Sequence, residues 1–360
     1  MSPAGGANKR IDGAGHAPGA GEGGGVARIL CLGELLLRLQ STDGALLVQS
    51  RELALHVGGA EANVAAALAQ LGHDAALASI LPDSRLGDRA LAVVRARGVD
   101  TRWILRRPGR MGLYFFEPGA GPRAGDIIYD RAGSAFVEAL ADVDWSGAWP
   151  GAAWLHVSGI TPALTAATAR AALTATRAAR AAGLRISLDC NYRPSLWQAS
   201  GGDAPALLGA LAAEADLLFG NHRDVALLTG KAVAGEGEAG RREAALAGFA
   251  AYPNLRFMAS TRRRVDTADR HRLSARIDTP SGATETGEVA LSAIVDRVGA
   301  GDAFAAGVLH GLMRGEEPGR AVRLGLAAAV QKHYIKGDMW IGDAAALDAF
   351  DEDGATDIRR

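Results

Sequence analysis

The chain has 360 residues, 48% hydrophobic and 22% charged, with 39 Lys plus Arg against 40 Asp plus Glu and a formal net charge of -1. That balance describes a soluble globular protein with room for one large α/β domain, or one domain and a small appendage. It excludes a general nucleic-acid or membrane-surface binder, which needs a basic excess, and no apolar run approaches the roughly 20 residues required to span a bilayer.

Residues 1–26 are rich in Gly, Ala and Pro and lack the apolar segment of a secretory signal. They cannot bury enough surface to offset their ordering entropy, so they read as a disordered tail of a cytoplasmic protein. Order is expected from Ala27. The run ARILCLGELLLRL predicts a buried first strand ending near Gly33-Glu34. Residues 40–57 alternate polar with apolar and read as short exposed strands. The segment GGAEANVAAALAQLG opens on Gly58 and Gly59 and becomes an Ala-rich helix closed by Gly72. Next, DAALASILPDSRLGDRALAVVRARGV gives a strand, a loop and a helix. From residue 100 to 131 the runs TRWILRR, MGLYFFEPG and DIIYDRAG are short, β-branched or aromatic, and separated by Gly and Pro, which predicts hairpin strands. Together with 40–57 they are expected to form a β lid projecting from the main body.

Beyond Ala152 the apolar runs AAWLHVSG, LRISLDCN, ADLLFGN and LRFMAS alternate with Ala-rich helical stretches. This pattern predicts a mostly parallel sheet covered by helices on both faces. The α/β core is expected to comprise 27–39, 58–99 and 132–350, with 351–360 a C-terminal tail. In such sheets ligands bind beyond the carboxyl ends of the strands, which draws attention to Asp189–Arg193 and Asn221–Asp224. Cys31 and Cys190 lie in strand-like runs without zinc-like spacing and read as buried reduced thiols. His222, His310 and His333 have no metal-ligand spacing. The tryptophans at 145, 149, 154, 197 and 340 read as packing residues.

The strongest local signal is Asp296-Arg297-Val298-Gly299-Ala300-Gly301-Asp302, running into the helix AFAAGVLHGLM. Gly299 and Gly301 allow a tight turn that presents successive N–H groups at a helix start, where the dipole adds about half a unit of positive charge. A carboxylate in such a turn competes with a bound anion for the same donors. Asp302 is either a simple N-cap or a base that removes a proton from a hydroxyl attacking a phosphate held there. The second signal is Gly58-Gly59-Ala60-Glu61-Ala62-Asn63. It reads as a glycine turn with a solvent-facing Asn, or as a place where the backbone approaches a small polar ligand and Asn63 supplies donor and acceptor.

In this order and spacing the two motifs resemble those of the ribokinase-like (PfkB) carbohydrate kinases, over about Ala27 to Phe350. The resemblance implies a ribokinase-like three-layer α/β/α sandwich with a small β-sheet lid, ATP and Mg2+, Asp302 as base with Gly299, Ala300 and Gly301 around the transferred phosphate, and sugar contacts at Gly58, Gly59 and Asn63. Arg297 stands where the family usually has Thr. Asn191, Asn221, Ser260, Arg262, Gly299 and Gly301 fall at nucleotide positions, and Asp224 replaces the family's Glu near the metal, which it would reach through water. The segments GLYFFEPG, IIYDRAGSAF, SLDCNYRPSLW, ASTRRRVD and KHYIKGD are similar to those of 2-keto-3-deoxygluconate kinases. That similarity implies substrate contacts from Tyr114, Tyr129, Arg131, Arg193 and Asp338. Arg131 and Arg193 are then the candidates for the sugar-acid carboxylate, which a guanidinium binds through two charge-assisted hydrogen bonds. The expected reaction is transfer of the ATP γ-phosphate to the terminal hydroxyl of 2-keto-3-deoxygluconate. A kinase of fructose or ribose, or a catalytically idle sugar-binding regulator on the same fold, are the alternatives. Since an exposed small sheet is an edge liability, two lids are expected to pair in a homodimer.

Overall fold

Side chains along the first strand already require cover on two sides. In β1 (Arg28–Leu32) Ile29 and Cys31 point into one apolar core, while Leu30 and Leu32 point into another. A strand apolar on both faces is stable only inside a sandwich. The computed structural model, which describes residues 28–235 and 237–350, shows that arrangement. Both tails expected from the sequence, 1–26 and 351–360, lie outside the described residues.

The main sheet runs in the order β13 (Ala283–Glu285), β12 (Arg270–Asp278), β11 (Phe257–Thr267), β10 (Leu217–Phe219), β9 (Arg185–Asp189), β8 (Ala152–Ser158), β1, β4 (Ala75–Pro82) and β5 (Ile104–Arg107). A further strand, β14 (Val289–Leu291), pairs with β12. From β5 to β11 every neighbouring pair is parallel, and β12 turns back antiparallel. One helical layer contains α1 (Ala60–Gln70), α2 (Arg85–Ala96), α9 (Ala300–Met313), α10 (Pro318–Lys332) and α11 (Ala344–Asp348). The opposite layer contains α3 (Ala135–Ala139), α4 (Ala166–Ala181), α5 (Pro194–Ser200), α6 (Ala204–Ala212), α7 (His222–Thr229) and α8 (Gly237–Ala251). Helices α9 and α10 approach closely because Gly307 and Gly311 on one face Gly325 and Ala321 on the other, and a Cβ at Gly307 would overlap the α10 backbone.

A second sheet projects from this body in the order β3 (Leu53–Gly58), β2 (Leu36–Ser41), β6 (Leu113–Glu117) and β7 (Asp126–Asp130). Strand β2 pairs antiparallel with β3 and parallel with β6, and β6–β7 is a hairpin. It is rooted at both ends of its first hairpin, because β2 continues β1 after three residues and β3 leads directly into α1. The expected lid boundaries need two corrections. Strand β2 begins at Leu36, ahead of residue 40. The TRWILRR run does not join the lid but pairs through β5 with β4 in the main sheet, Ile80 opposite Leu105. Its composition suits any strand. Its neighbours decide: Ile104 is buried in one core and Leu105 packs against the other.

The five tryptophans read as packing residues are all buried, and Cys31 and Cys190 are buried free thiols. Among the described residues no helix is long and apolar enough to cross a membrane.

Candidate active site

A cleft of about 1310 Å³ lies between the carboxyl ends of the parallel strands and one face of the small sheet. Strand alternation puts Tyr114 and Phe116 of β6, and Ile127 and Tyr129 of β7, on the cleft side. Of the residues expected to contact a sugar, Gly59, Asn63, Tyr114, Tyr129, Arg131, Arg193 and Asp338 line the cleft. Asn191, Asn221, Asp224, Ser260 and Arg262, expected at a nucleotide, line it as well, and so do Gly299, Ala300, Gly301 and Asp302. Gly58 is the exception among the expected residues. It does not line the cleft, and its lack of a side chain makes room for Asp338, whose carboxylate a Cβ at that position would overlap.

The turn before α9 is built around Gly299. Its φ of 82° is left-handed, and a Cβ there would collide with the Asp338 carbonyl. Glycine is required on both counts. The Ala300 N–H donates to the Arg297 carbonyl at 3.2 Å and the Ala303 N–H to the Gly299 carbonyl at 2.9 Å. Among the described residues the N–H groups of Gly301 and Asp302 have no acceptor, so these two, and not Ala300, are free to hold an anion. A Cβ on Gly301 would meet open space, which leaves the backbone approachable.

Asp302 is not the N-cap. That position belongs to Gly299, and the Asp302 carboxylate lies in the first turn and accepts from Asn63 Nδ2 at 2.6 Å. Burial pushes Asp302 up to about 7 against the opposing Asn63 bond, with the charges of Asp338 and Glu61 adding to the rise. Asp189, at the end of β9, is also raised to about 7, first by burial and then by Asp302. A carboxylate poised near neutrality, next to two unpaired N–H groups, can take a proton from a hydroxyl whose reaction partner those N–H groups hold.

Behind the turn lies a buried charge cluster. Arg38 on β2 is fully buried; its Nη2 donates to Asp296 Oδ2 at 2.5 Å and its Nε stands 3.3 Å from Asp338 Oδ1. Asp296 also accepts from the N–H groups of Val298 at 3.0 Å and Gly337 at 2.9 Å. The Tyr114 hydroxyl donates to Asp338 Oδ2. The small sheet, the turn before α9 and the loop before Asp338 are therefore joined by one set of charges.

The arginines divide into paired and unpaired groups. Arg131 is buried and donates through Nε and Nη2 to Glu34 Oε2 at 2.8 and 2.5 Å, while Ser134 Oγ donates to Glu34 Oε1. Its charge is already balanced, which weakens the expectation that it takes a sugar-acid carboxylate. Arg193 is exposed and cleft-lining, and among the described residues its side chain hydrogen-bonds only to the Tyr192 carbonyl, at 3.4 Å. Among the described residues Arg193, Arg262, Arg263 and Arg297 form no ion pair with a side chain. Desolvation, with the charges of Arg297 and Arg193 added, holds Arg263 below the ordinary arginine range. Guanidinium groups gathered in one cleft without a direct ion pair favour an anionic ligand, although the charge of Arg193 is also felt by Asp189, Asp224 and Asp302.

Asn221 caps α7, accepting from the Arg223 N–H at 2.8 Å, and Asp224 accepts from the Asn221 N–H at 2.7 Å. Asp224 is raised by burial. Asn191 adopts a left-handed φ of 38° that brings its Nδ2 to Asp189 Oδ2 at 3.3 Å. Among the described residues no three His, Cys, Asp or Glu side chains are grouped to hold a metal ion.

Sequence reasoning missed Glu34, Glu61, Arg263 and the part played by Arg38. Glu34 follows the first strand, so the rule that ligands gather at strand ends could have found it. Glu61 is buried and accepts from Ser158 N–H and Oγ at 3.0 and 2.6 Å. Its space is set by Gly33, where a Cβ would overlap its carboxylate.

The profile of the pfkB family carbohydrate kinase matches residues 26–251 and 281–334. The chain is similar to a 2-dehydro-3-deoxygalactonokinase from Haloferax volcanii, at 33% identity over 87% of this chain and 93% of that protein. Its structure is similar to that of a 2-dehydro-3-deoxygluconokinase from Thermotoga maritima, with a TM-score of 0.85 and 34% identity over 89% of this chain and 98% of that one. A structure described as a putative ribokinase II from E. coli superposes with a TM-score of 0.75 at 18% identity, covering 89% and 98% of the two chains, which shows a ribokinase-like fold.

Arg38→Met keeps much of the side-chain volume and leaves Asp296 and Asp338 without their shared cation. A loss of about 3–5 kcal/mol of unfolding free energy is expected in chemical denaturation. A variant within about 1 kcal/mol of wild type would show that the cluster is not held by its charges.

Proposed function

The chain belongs to the pfkB carbohydrate kinase family, and on that premise we propose that it transfers the γ-phosphoryl group of ATP to the terminal hydroxyl of 2-keto-3-deoxygluconate. One observation carries the chemical part of this reading. The unpaired N–H groups of Gly301 and Asp302 lie beside a carboxylate poised near neutrality, in a cleft that also holds unpaired arginines.

Asp302 accepts the proton of the attacking hydroxyl, with Asn63 fixing the orientation of its carboxylate. The two N–H groups bind oxygens of the transferred phosphoryl group, whose charge grows towards the transition state. Arg263 and Arg297 neutralise nucleotide phosphates, with Asn191, Asn221, Ser260 and Arg262 lining that end. Tyr129 and Arg131 reach the sugar from the lid, and Arg193, the free guanidinium, takes the carboxylate that distinguishes a sugar acid from fructose or ribose. The names borne by the similar Haloferax and Thermotoga proteins support a sugar acid over a neutral sugar. The lid excludes water, the competing phosphoryl acceptor.

The residues suit Mg2+ carried in on the nucleotide rather than a metal caged by protein. Asp224 and Asp189 offer hard carboxylate oxygen, yet both already accept backbone hydrogen bonds, so contact through water fits them best. When bound, Mg2+ supplies charge neutralisation on the nucleotide phosphates. Buried free thiols at Cys31 and Cys190 support a reducing, cytoplasmic setting.

The lid also supports a homodimer. On the side away from the cleft, Leu55, Leu39, Phe115 and Ile128 form an apolar row across all four strands, with Ile128 52% exposed. Pairing two such sheets would cover that row and protect the edges.

ADP release measured with a panel of sugar acids and neutral sugars tests the reaction; activity confined to neutral sugars would remove the sugar-acid assignment. Asp302→Asn should lower kcat by about 10²–10⁴. In the wild type kcat/KM should fall as the pH drops below about 7, where Asp302 becomes protonated and cannot accept the substrate proton. Near-wild-type turnover by the Asn variant would rule out the base. Arg193→Ala should raise KM for the sugar acid by roughly 10–150-fold, the loss of a charge-assisted bond, and change KM for a neutral sugar far less. For the dimer, sedimentation should report two chains for wild type and one for Ile128→Lys; unchanged sedimentation of that variant would exclude the lid as the interface.

A further inference from the structure

Lys332, the last residue of α10, is the only lysine described as fully buried, and the proposed reaction gives it no task. Its Nζ donates to the carbonyl of Asp296 at 3.2 Å and to the carbonyl of Ile335 at 2.8 Å. One carbonyl begins the turn that ends in Asp302, and the other belongs to the loop leading to Asp338. Among the described residues no carboxylate stands within ion-pair distance, and the Asp296 carboxylate is taken by Arg38, Val298 and Gly337. Burial lowers the lysine to about 8, with Asp296 and Asp338 partly restoring its affinity for the proton.

Such an arrangement is costly, since a buried ammonium bonded only to carbonyl oxygens keeps little of its hydration energy. An apolar side chain of the same length would fill the space without that cost. What the ammonium adds is a positive charge gripping two backbone oxygens, which is how a protein holds a small hard cation. The carbonyls come from the two segments whose spacing sets the turn, since Gly299 packs directly on the Asp338 carbonyl.

We propose that Lys332 is a tethered cation: its ammonium draws the Asp296 and Ile335 carbonyls together, holds the turn so that the Gly301 and Asp302 N–H groups face the cleft, and makes a free monovalent cation unnecessary. Lys332 is thus a positioning residue that touches neither substrate nor nucleotide. The inference rests on the kinase reading for its rate measurements, so it is paired with a readout that needs no turnover.

Wild-type rates are compared in tetramethylammonium, sodium, potassium and ammonium chloride at equal ionic strength, with less than about a twofold spread expected. Lys332→Met should retain its circular-dichroism spectrum and lose about tenfold or more in kcat, with the sugar KM little changed. Lys332→Ala opens a cavity beside the same carbonyls. Ammonium or methylammonium, but not tetramethylammonium, should raise both its melting temperature and its kcat, while leaving the wild-type melting temperature unchanged. Several-fold activation of wild type by potassium or ammonium would overturn the tether and leave the kinase assignment standing. So would a Lys332→Met enzyme with wild-type kcat, or an alanine variant whose melting temperature ignores small cations.

Discussion

The buried contact between Arg38 and Asp296 is the constraint on which the functional half of the molecule depends. Arg38 belongs to the small sheet, and Asp296 opens the turn at the start of α9. Their side chains meet where water is excluded, and each would be costly alone. Asp338 completes the set from the other side, bonded by Tyr114 and close to Arg38 Nε. Lid and turn cannot shift independently without separating charges in a low-dielectric interior.

From that constraint the chemistry of the cleft follows. The turn is fixed by a left-handed glycine packed on a carbonyl, and its two free N–H groups stand at one end of a largely buried helix. Asp302 is desolvated in the same place, so its proton affinity rises to about 7. Asp189 and Asp224 are raised by the same burial. Three carboxylates whose ionised forms are disfavoured share the cleft with arginines that, among the described residues, make no direct ion pair. A polyanionic ligand would settle on the arginines, while a metal ion carried with it would relieve the carboxylates.

Much of this was legible from residue patterns. The two-sided apolar strands announced the sandwich, because only a sheet covered on both faces can bury Ile29 with Cys31 on one side and Leu30 with Leu32 on the other. The glycine turn and its Asp were visible because backbone freedom at fixed spacing has few other uses. The lid was legible as a set of strands but not as a pairing: nothing in TRWILRR says whether its partner is β4 or β6, since a strand's composition reports burial and not the identity of its neighbour. Gly58 looked like a ligand contact for the same reason that Gly59 did. Only the position of Asp338, 280 residues further on, assigns it to packing.

Site residues that act through long-range pairing were the ones the sequence could not disclose. Arg131 and Arg193 look alike as text, yet one is neutralised by Glu34 and the other is free. Lys332 carries no distinguishing mark in the sequence, and the chain fold buries it against two carbonyls. By itself the sequence determined which segments form strands and helices, where the backbone must bend without a side chain, and that Asp302 follows a glycine turn at a helix start. These are local properties, set by period, volume and backbone freedom. The tertiary structure alone decided which charges are spent on one another and which remain for a ligand, because charge balance in a buried site depends on distances between residues hundreds of positions apart.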